Sequence, residues 1–450
     1  MSLALLLLTA ATPGVDAQSS YVPASPASAP AASVAPGGSL DAAFGDGGIA
    51  VIDLGASDDA IHGFVAAPDG ASYLLGEARR DDRSLRAFAI ARLAADGSLD
   101  MSWGRDGRVH IAFGENLSGG AQAGTLDAEG NLVVAGFSAN PEAHHETFAV
   151  ARLLPDGRLD PAFGRKGRVL TVVWPETGAG PADIARAVAI DTEGRIVVAG
   201  ETGSFFHDVA VVRYLPDGSL DRGFGRDGIV TLDLGGDDRA NALAIATDGS
   251  ILVAGSGWTE GPDEDMVAVR LTDDGTLDPT FGTDGITQVD FRGGADRAFG
   301  IVARQDGTIV LGGTGQLSGG CANPCERYGM ALARLTSDGA LDGSFGVEGR
   351  IHPDLLTSSG GYALTPLPNG GSALAGHIGN EDLGLLQLRP DGDPLPVFDG
   401  IAITIDVNGF ADRGWGVAAG PDGSILLAGD TNDGSGAIDG VVVKYLPPAP

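Results

Sequence analysis

The stretch Leu220–Gly255, LDRGFGRDGIVTLDLGGDDRANALAIATDGSILVAG, decides the fold. It opens on Leu220-Asp221, Phe224-Gly225 and Gly228, and then carries two strand-like runs, Ala240–Ala246 and Ser250–Gly255. Asp248-Gly249 joins them, where glycine accepts the positive φ that a tight hairpin needs. Met266–Leu271 and Ile286–Phe291 add two further runs. No 3.6-residue period runs between these turns, so the unit reads as four antiparallel strands.

The signature returns along the chain. Leu40 with Phe44, Leu99 with Trp103, Leu159 with Phe163, Leu277 with Phe281 and Leu341 with Phe345 repeat it, and a worn copy surrounds Leu395 and Phe398. The hairpin turn recurs at Asp69-Gly70, Glu129-Gly130, Glu193-Gly194, Asp306-Gly307, Asn369-Gly370 and Asp422-Gly423. Seven units of four strands are the arithmetic of a β-propeller. The first run of each unit is rich in alanine, which suits the strand nearest the axis, and the runs are lettered a to d from axis to rim. Counted this way, the chain starts on an unpartnered d strand at Ile49–Leu54 and ends on an unpartnered c strand at Val441–Leu446. The expected fold is therefore all-β, a seven-bladed propeller with four antiparallel strands per blade, whose last blade is closed by the N-terminal strand.

The unit Leu-Asp-x-x-Phe-Gly-x-x-Gly, followed by an Asp-Gly turn, Ile-Leu-Val-Ala-Gly and Val-Ala-x-Arg-Leu, resembles the delta-60 repeat family of bacterial exported proteins. The resemblance spans about residues 40 to 446 and implies a repeat fold without implying a reaction. The sixth copy departs from it at Gln387 and Pro396.

Residues 1–17 read as a cleaved secretory signal, with an apolar run at Leu3–Ala11 and small residues before Gln18, although no Lys or Arg precedes the run. Residues 18–38 read as an Ala/Ser/Pro-rich flexible leader, 39–446 as one propeller domain, and 447–450 as a Pro-rich tail. The expected location is secreted or periplasmic. Against 28 Lys and Arg stand 60 Asp and Glu, a net charge of −32. Such a surface repels phosphate backbones and anionic headgroups. Nucleic acid and membrane insertion are thus not expected, and a monomer is. Cys321 and Cys325 are the two cysteines, and in an exported protein they read as a local disulfide.

Residues repeated in every blade are explained by the blade. The motif aromatics should pack between blades, and the Arg ending strand c (Arg92, Arg152, Arg213, Arg270, Arg334, with Lys444 last) should pair with the motif Asp. Function is expected on the other face, where the d–a and b–c loops vary. Asp238-Arg239, Asp296-Arg297 and Asp412-Arg413 recur just before strand a, with Arg186 and Asp59 at related places. Two readings of this collar stay open: a ligand-binding ring around the channel mouth, or Asp–Arg pairs that join neighbouring blades. His144, His145, His207 and Trp258 are further candidates in the b–c loops. No metal site is expected; calcium fits the acidity, but no recognisable calcium loop is present. No nucleophile elbow, zinc helix or phosphate loop appears. The function expected is a secreted, non-enzymatic binding scaffold for a protein, glycan or cell-surface component. The alternative is a propeller enzyme of glycan lyase or hydrolase type working at the collar.

Overall fold

The computed structural model describes residues 33–34, 39–55, 59–80, 85–142, 145–174, 182–258, 263–291, 294–317, 327–353, 355, 357–379, 382–394, 402–407, 409, 411–420, 422–432 and 438–446. His144, the pair Cys321 and Cys325, the worn motif copy at 395–401, and residues 1–17 lie outside them. Among the described residues no helix is long and apolar enough to cross a membrane.

Seven antiparallel sheets form the ring. Their innermost strands are Ala60–Ala66, Ser118–Leu126, Ile184–Ile190, Arg239–Ile245, Arg297–Ala303, Ser359–Pro366 and Asp412–Ala419. Each of these touches the next, and the seventh touches the first, so the circle is closed. Blade 4 shows the pattern: Arg239–Ile245, Ile251–Gly257, Asp265–Leu271 and Ile286–Val289 run from axis to rim. Seven apolar clusters fill the spaces between blades.

The last blade takes its rim from the other end of the chain. Ile49–Ile52 pairs antiparallel with Ile438–Leu446, Ile49 opposite Val443 and Ile52 opposite Gly440. Ser39–Leu40 continues along the same edge, and Lys444 reaches Asp41 at 3.0 Å. The whole c–d segment of blade 7, motif included, is thus supplied by the N-terminal segment, which covers the outer edge of Ile438–Leu446.

The repeated motif fastens blades to one another. Arg152, Arg213, Arg270 and Arg334 each pair with the Asp of their own motif at 2.7–2.8 Å, and Arg92 pairs with Asp100. The same four guanidinium groups lie 4.6–4.9 Å over the motif Phe rings and donate to a carbonyl of the following blade, as Arg213 does to Asp273. The motif glycine adds a backbone link: Gly225 of blade 3 donates to the Asp274 carbonyl of blade 4 at 2.8 Å, and Gly45 of blade 7 to that of Asp96 of blade 1 at 2.7 Å. At φ +50, with an added Cβ only 2.4 Å from the Ile229 oxygen, position 225 takes glycine. The a–b turns join this face as well, since Arg195 pairs with Asp273 at 2.5 Å.

Candidate functional site at the channel mouth

The opposite face carries the d–a and b–c loops. Just before, or at the start of, strand a, five blades bury an aspartate: Asp59, Asp183, Asp238, Asp296 and Asp412. Each turns into its own d–a loop and accepts a backbone N–H from it. The donors are Leu54 at 2.7 Å, Val173 at 2.8 Å, Leu234 at 2.6 Å, Phe291 at 2.8 Å and Val407 at 2.8 Å. Asp238 also accepts from Trp258, just beyond the b strand of its blade, and Asp296 from Gln316 in the b strand of its own. These carboxyls close the loop and do not line the channel. Burial pushes Asp183, Asp238, Asp296 and Asp412 up, Asp296 to about 7 and Asp412 to about 6, and around Asp238, Asp296 and Asp412 nearby carboxylates add to the effect.

Those neighbours form three equivalent triads at blade junctions: Asp208, Asp233 and Asp238; Asp265, Asp290 and Asp296; Asp382, Asp406 and Asp412. Their ligand oxygens lie within 4.8 Å of one another. Hard oxygen donors of this kind suit a divalent cation. The central Asp of each, however, is already held by backbone N–H groups.

The arginines turn the other way. Arg186 pairs with Glu201 at 2.7 Å, Arg239 with Asp237 at 2.8 Å and Glu201 at 3.3 Å, and Arg297 with Glu264 at 2.6 Å. Neither Asp238 with Arg239 nor Asp296 with Arg297 forms an ion pair, although each pair is adjacent in sequence. Arg413 is exposed at the mouth. His207 Nδ1 lies 2.6 Å from Asp237, and Trp258, half-exposed, covers the d–a loop at Gly236. His145 opens the c strand of blade 2, opposite Asn140. Beside His207, Phe205 and Phe206 stand exposed at the tip of the same hairpin.

A second set of residues is organised by the backbone itself. In every blade the register between strands a and b slips by one residue, leaving a bulge at His62, Gln122, Arg186, Asn241, Phe299, Tyr362 and Trp415. A bulge re-aims the side chain of the extra residue. All seven are partly exposed, while the residue before each of them is buried. A glycine opposite makes this possible. Gly76, Gly136, Gly200, Gly255, Gly313, Gly376 and Gly429 of strand b face the bulged backbone, and a Cβ there would lie 1.7–2.1 Å from a carbonyl oxygen of strand a. The repeated Val-Ala-Gly run therefore serves the bulge.

The seven side chains divide the mouth into two arcs. Phe299, Tyr362 and Trp415 come from consecutive blades. Phe299 meets Tyr362 edge-on at 5.4 Å between centroids, and Tyr362 meets Trp415 at 4.8 Å. His377 stacks on Tyr362 at 5.6 Å, in space left by Gly360, where a Cβ would come within 2.9 Å of the His377 ring and of the Tyr362 hydroxyl. The other arc holds His62, Gln122, Arg186 and Asn241, with Glu77 and Glu201 behind. Glu77 is tied to Arg86 at 2.6 Å. Burial, aided by the cations Arg186 and Arg86, lowers His62 to about 4, so its ring is neutral at ordinary pH. Asn241 donates to the Ala298 carbonyl of the next blade at 3.0 Å. Glu146, on strand c of blade 2, is raised by burial and by Glu201.

Of this ring, sequence reasoning had singled out Arg186 alone. The available signal was variability: at one position inside an otherwise small-residue strand the seven copies read His, Gln, Arg, Asn, Phe, Tyr and Trp.

A protein-family model described as "Domain of unknown function (DUF5122) beta-propeller" matches residues 68–102, 129–163, 194–224 and 246–281. Among solved structures, the chain is similar to a protein of unknown function from Dyadobacter fermentans at 10% identity and TM-score 0.44, covering 92% of this chain and 99% of that one. It is similar to Sqt1 of Chaetomium thermophilum bound to the N-terminus of ribosomal protein L10, at 12% identity and TM-score 0.47, covering 88% and 98%. It is also similar to an α-L-arabinofuranosidase of Fusarium graminearum in complex with an iminosugar inhibitor, at 9% identity and TM-score 0.47, covering 88% and 97%. Likeness at this level carries nothing about what the chain binds. No curated protein matches it by sequence.

Proposed function

We propose that the chain is a secreted or periplasmic binding scaffold, not an enzyme, and that its ligand seats at the channel mouth on the face of the d–a and b–c loops. One observation carries this reading. Seven structurally equivalent bulges, each held by its glycine, present seven different side chains around one axis. Packing explains what repeats, and a ring that keeps its backbone while varying its side chains is organised for recognition.

Absence of catalysis is favoured by the state of the carboxylates. Glu77 and Glu201 are engaged by arginines as structural partners, which takes both out of acid–base work. The glycan lyase or hydrolase alternative rests on Glu146, a carboxyl beside the polar arc that burial raises and that no ion pair engages among the described residues.

The test is a mixed glycan and peptide library offered to the full chain, to Gln122→Trp, which fills the mouth, and to Arg158→Ala on the opposite face. Ligands retained by the unaltered chain should be lost by Gln122→Trp and kept by Arg158→Ala. The opposite pattern would remove the mouth from consideration. Replacing Arg239, Arg297 and Arg413 together by Ala separates the two readings of the collar. A binding role lowers affinity, whereas a purely structural one lowers the melting temperature and leaves affinity per folded molecule intact.

A further inference from the structure

Granting the mouth as the ligand site, its chemistry narrows the ligand class. We propose that it takes a neutral saccharide, one sugar ring lying against the arc of Phe299, Tyr362 and Trp415 with its hydroxyls on His62, Gln122 and Asn241.

Charge comes first. Four arginines at a channel mouth would ordinarily advertise an anion site. Here Arg186, Arg239 and Arg297 already spend their forks on Glu201, Asp237 and Glu264. A carboxylate or phosphate ligand would have to displace these partners and leave buried acids such as Glu201 unpaired, which is costly. A cationic ligand meets the converse obstacle at Glu201, Asp237 and Glu264, which these arginines hold. These paired groups neutralise one another, and a neutral ligand disturbs none of them.

The hydrogen-bonding groups left over have a common property. Neutral imidazole and carboxamide each present a donor and an acceptor. No hydrogen bond within the protein engages the side chain of His62 or Gln122 among the described residues, and the Oδ1 of Asn241 remains for a ligand beside the bond its amide makes to Ala298. Hydroxyl groups also donate and accept, so a run of them fits a wall of such residues without any fixed polarity. An extended peptide would instead need a ladder of alternating backbone partners.

The aromatic arc supplies the other half. A sugar ring has one face of C–H groups and a rim of hydroxyls, so it is matched by an apolar plate set beside polar side chains, the usual division of a small-molecule site. The plate is preorganised: Tyr362 is fixed between Phe299, Trp415 and His377 at centroid distances of 4.8–5.6 Å. Little rotamer freedom is left to lose on binding.

The experiment titrates the full chain calorimetrically with a panel of neutral oligosaccharides, comprising cello-, xylo-, manno-, arabino- and malto-hexaose. Oligogalacturonate and tetralysine serve as charged counterparts. At least one neutral member should bind, with Trp415→Ala lowering its affinity about tenfold or more, equivalent to roughly 1.4 kcal/mol. Gln122→Ala should lower it severalfold while leaving the melting temperature unchanged, which keeps the test valid should Trp415→Ala fold poorly. Failure of every neutral member to bind overturns the proposal. If only oligogalacturonate or tetralysine binds, and Gln122→Ala weakens it, the saccharide class is wrong while the mouth stands. Binding of a neutral saccharide that ignores both substitutions refutes the mouth itself.

Discussion

Removing residues 1–54 tests the closure of the ring. The cut takes away Ile49–Ile52 and the motif segment before it, and with them the buried side chains of Phe44, Ile49, Ile52 and Leu54. Each such burial is worth about 1.5–3 kcal/mol, so the four together contribute roughly 6–12 kcal/mol as an upper estimate. Hydrogen bonds from Asp41 to Lys444 and from Lys444 to Gly48, and the Lys444–Asp41 ion pair, go as well. The loss is comparable to the whole stability of a typical domain, about 5–15 kcal/mol. It also bares the edge of Ile438–Leu446, which invites aggregation. Melting followed by circular dichroism should show a fall of about 10 °C or more relative to a chain beginning at Gly38. Hydrogen exchange should accelerate first along Ile438–Leu446. Adding a peptide of residues 38–54 should restore much of the loss by strand addition. A truncated chain that melts within about 2 °C of its control would refute the reasoning.

Gly255→Ala sets a Cβ 1.7 Å from the Arg239 carbonyl, so it should cost at least about 2 kcal/mol in chemical denaturation, whereas Gly343→Ala, with nothing within 4 Å, should be within about 0.5 kcal/mol of neutral. Asp296 titrates at about 7 in the fold against about 3.9 in an unfolded chain, so its contribution is full below about pH 4 and lost as pH rises through 7. His62, lowered to about 4, acts in the opposite sense up to about pH 6.5, so the measurement is the difference between variants: from pH 5 to pH 8 the melting temperature of Asp296→Asn should fall less than that of the unaltered chain. Arg213→Lys keeps the charge but loses the fork that holds Asp221 and the Asp273 carbonyl, and should cost about 1–2 kcal/mol, while Arg158→Lys on the exposed surface should cost nothing measurable.

The architecture was legible because its signals are local and repeated. Asp-Gly turns mark the a–b hairpins, the strand count demands a partner for Val441–Leu446, and the Arg at the end of strand c sits where an Asp must answer it. Strand ends were read too long for a physical reason. Leu54 and Phe291 continue the apolar run, but their N–H groups turn to Asp59 and Asp296 instead of the ladder. The same contact explains the collar. Asp238, Asp296 and Asp412 look ready for a ligand in sequence, since the loop amides that claim them come from residues four or five positions earlier. The bulge ring stayed hidden because plain alternation was assumed along strand a, and one inserted residue breaks that period. Phe299 and Trp415 then look like two more apolar residues in an apolar strand.

The pairing of each bulge with its glycine separates two demands that usually compete for the same residues. Most of what makes a blade fold lies in the neighbouring positions, so an exchange at 62, 122, 186, 241, 299, 362 or 415 acts chiefly on the rim of the channel. The ring behaves as a row of seven sockets in a common frame, each open to a different insert. A lineage carrying this frame can change its ligand by single substitutions, one socket at a time, without passing through an unstable intermediate. The same property makes the frame a practical starting point for selecting new binders by randomising those seven positions together.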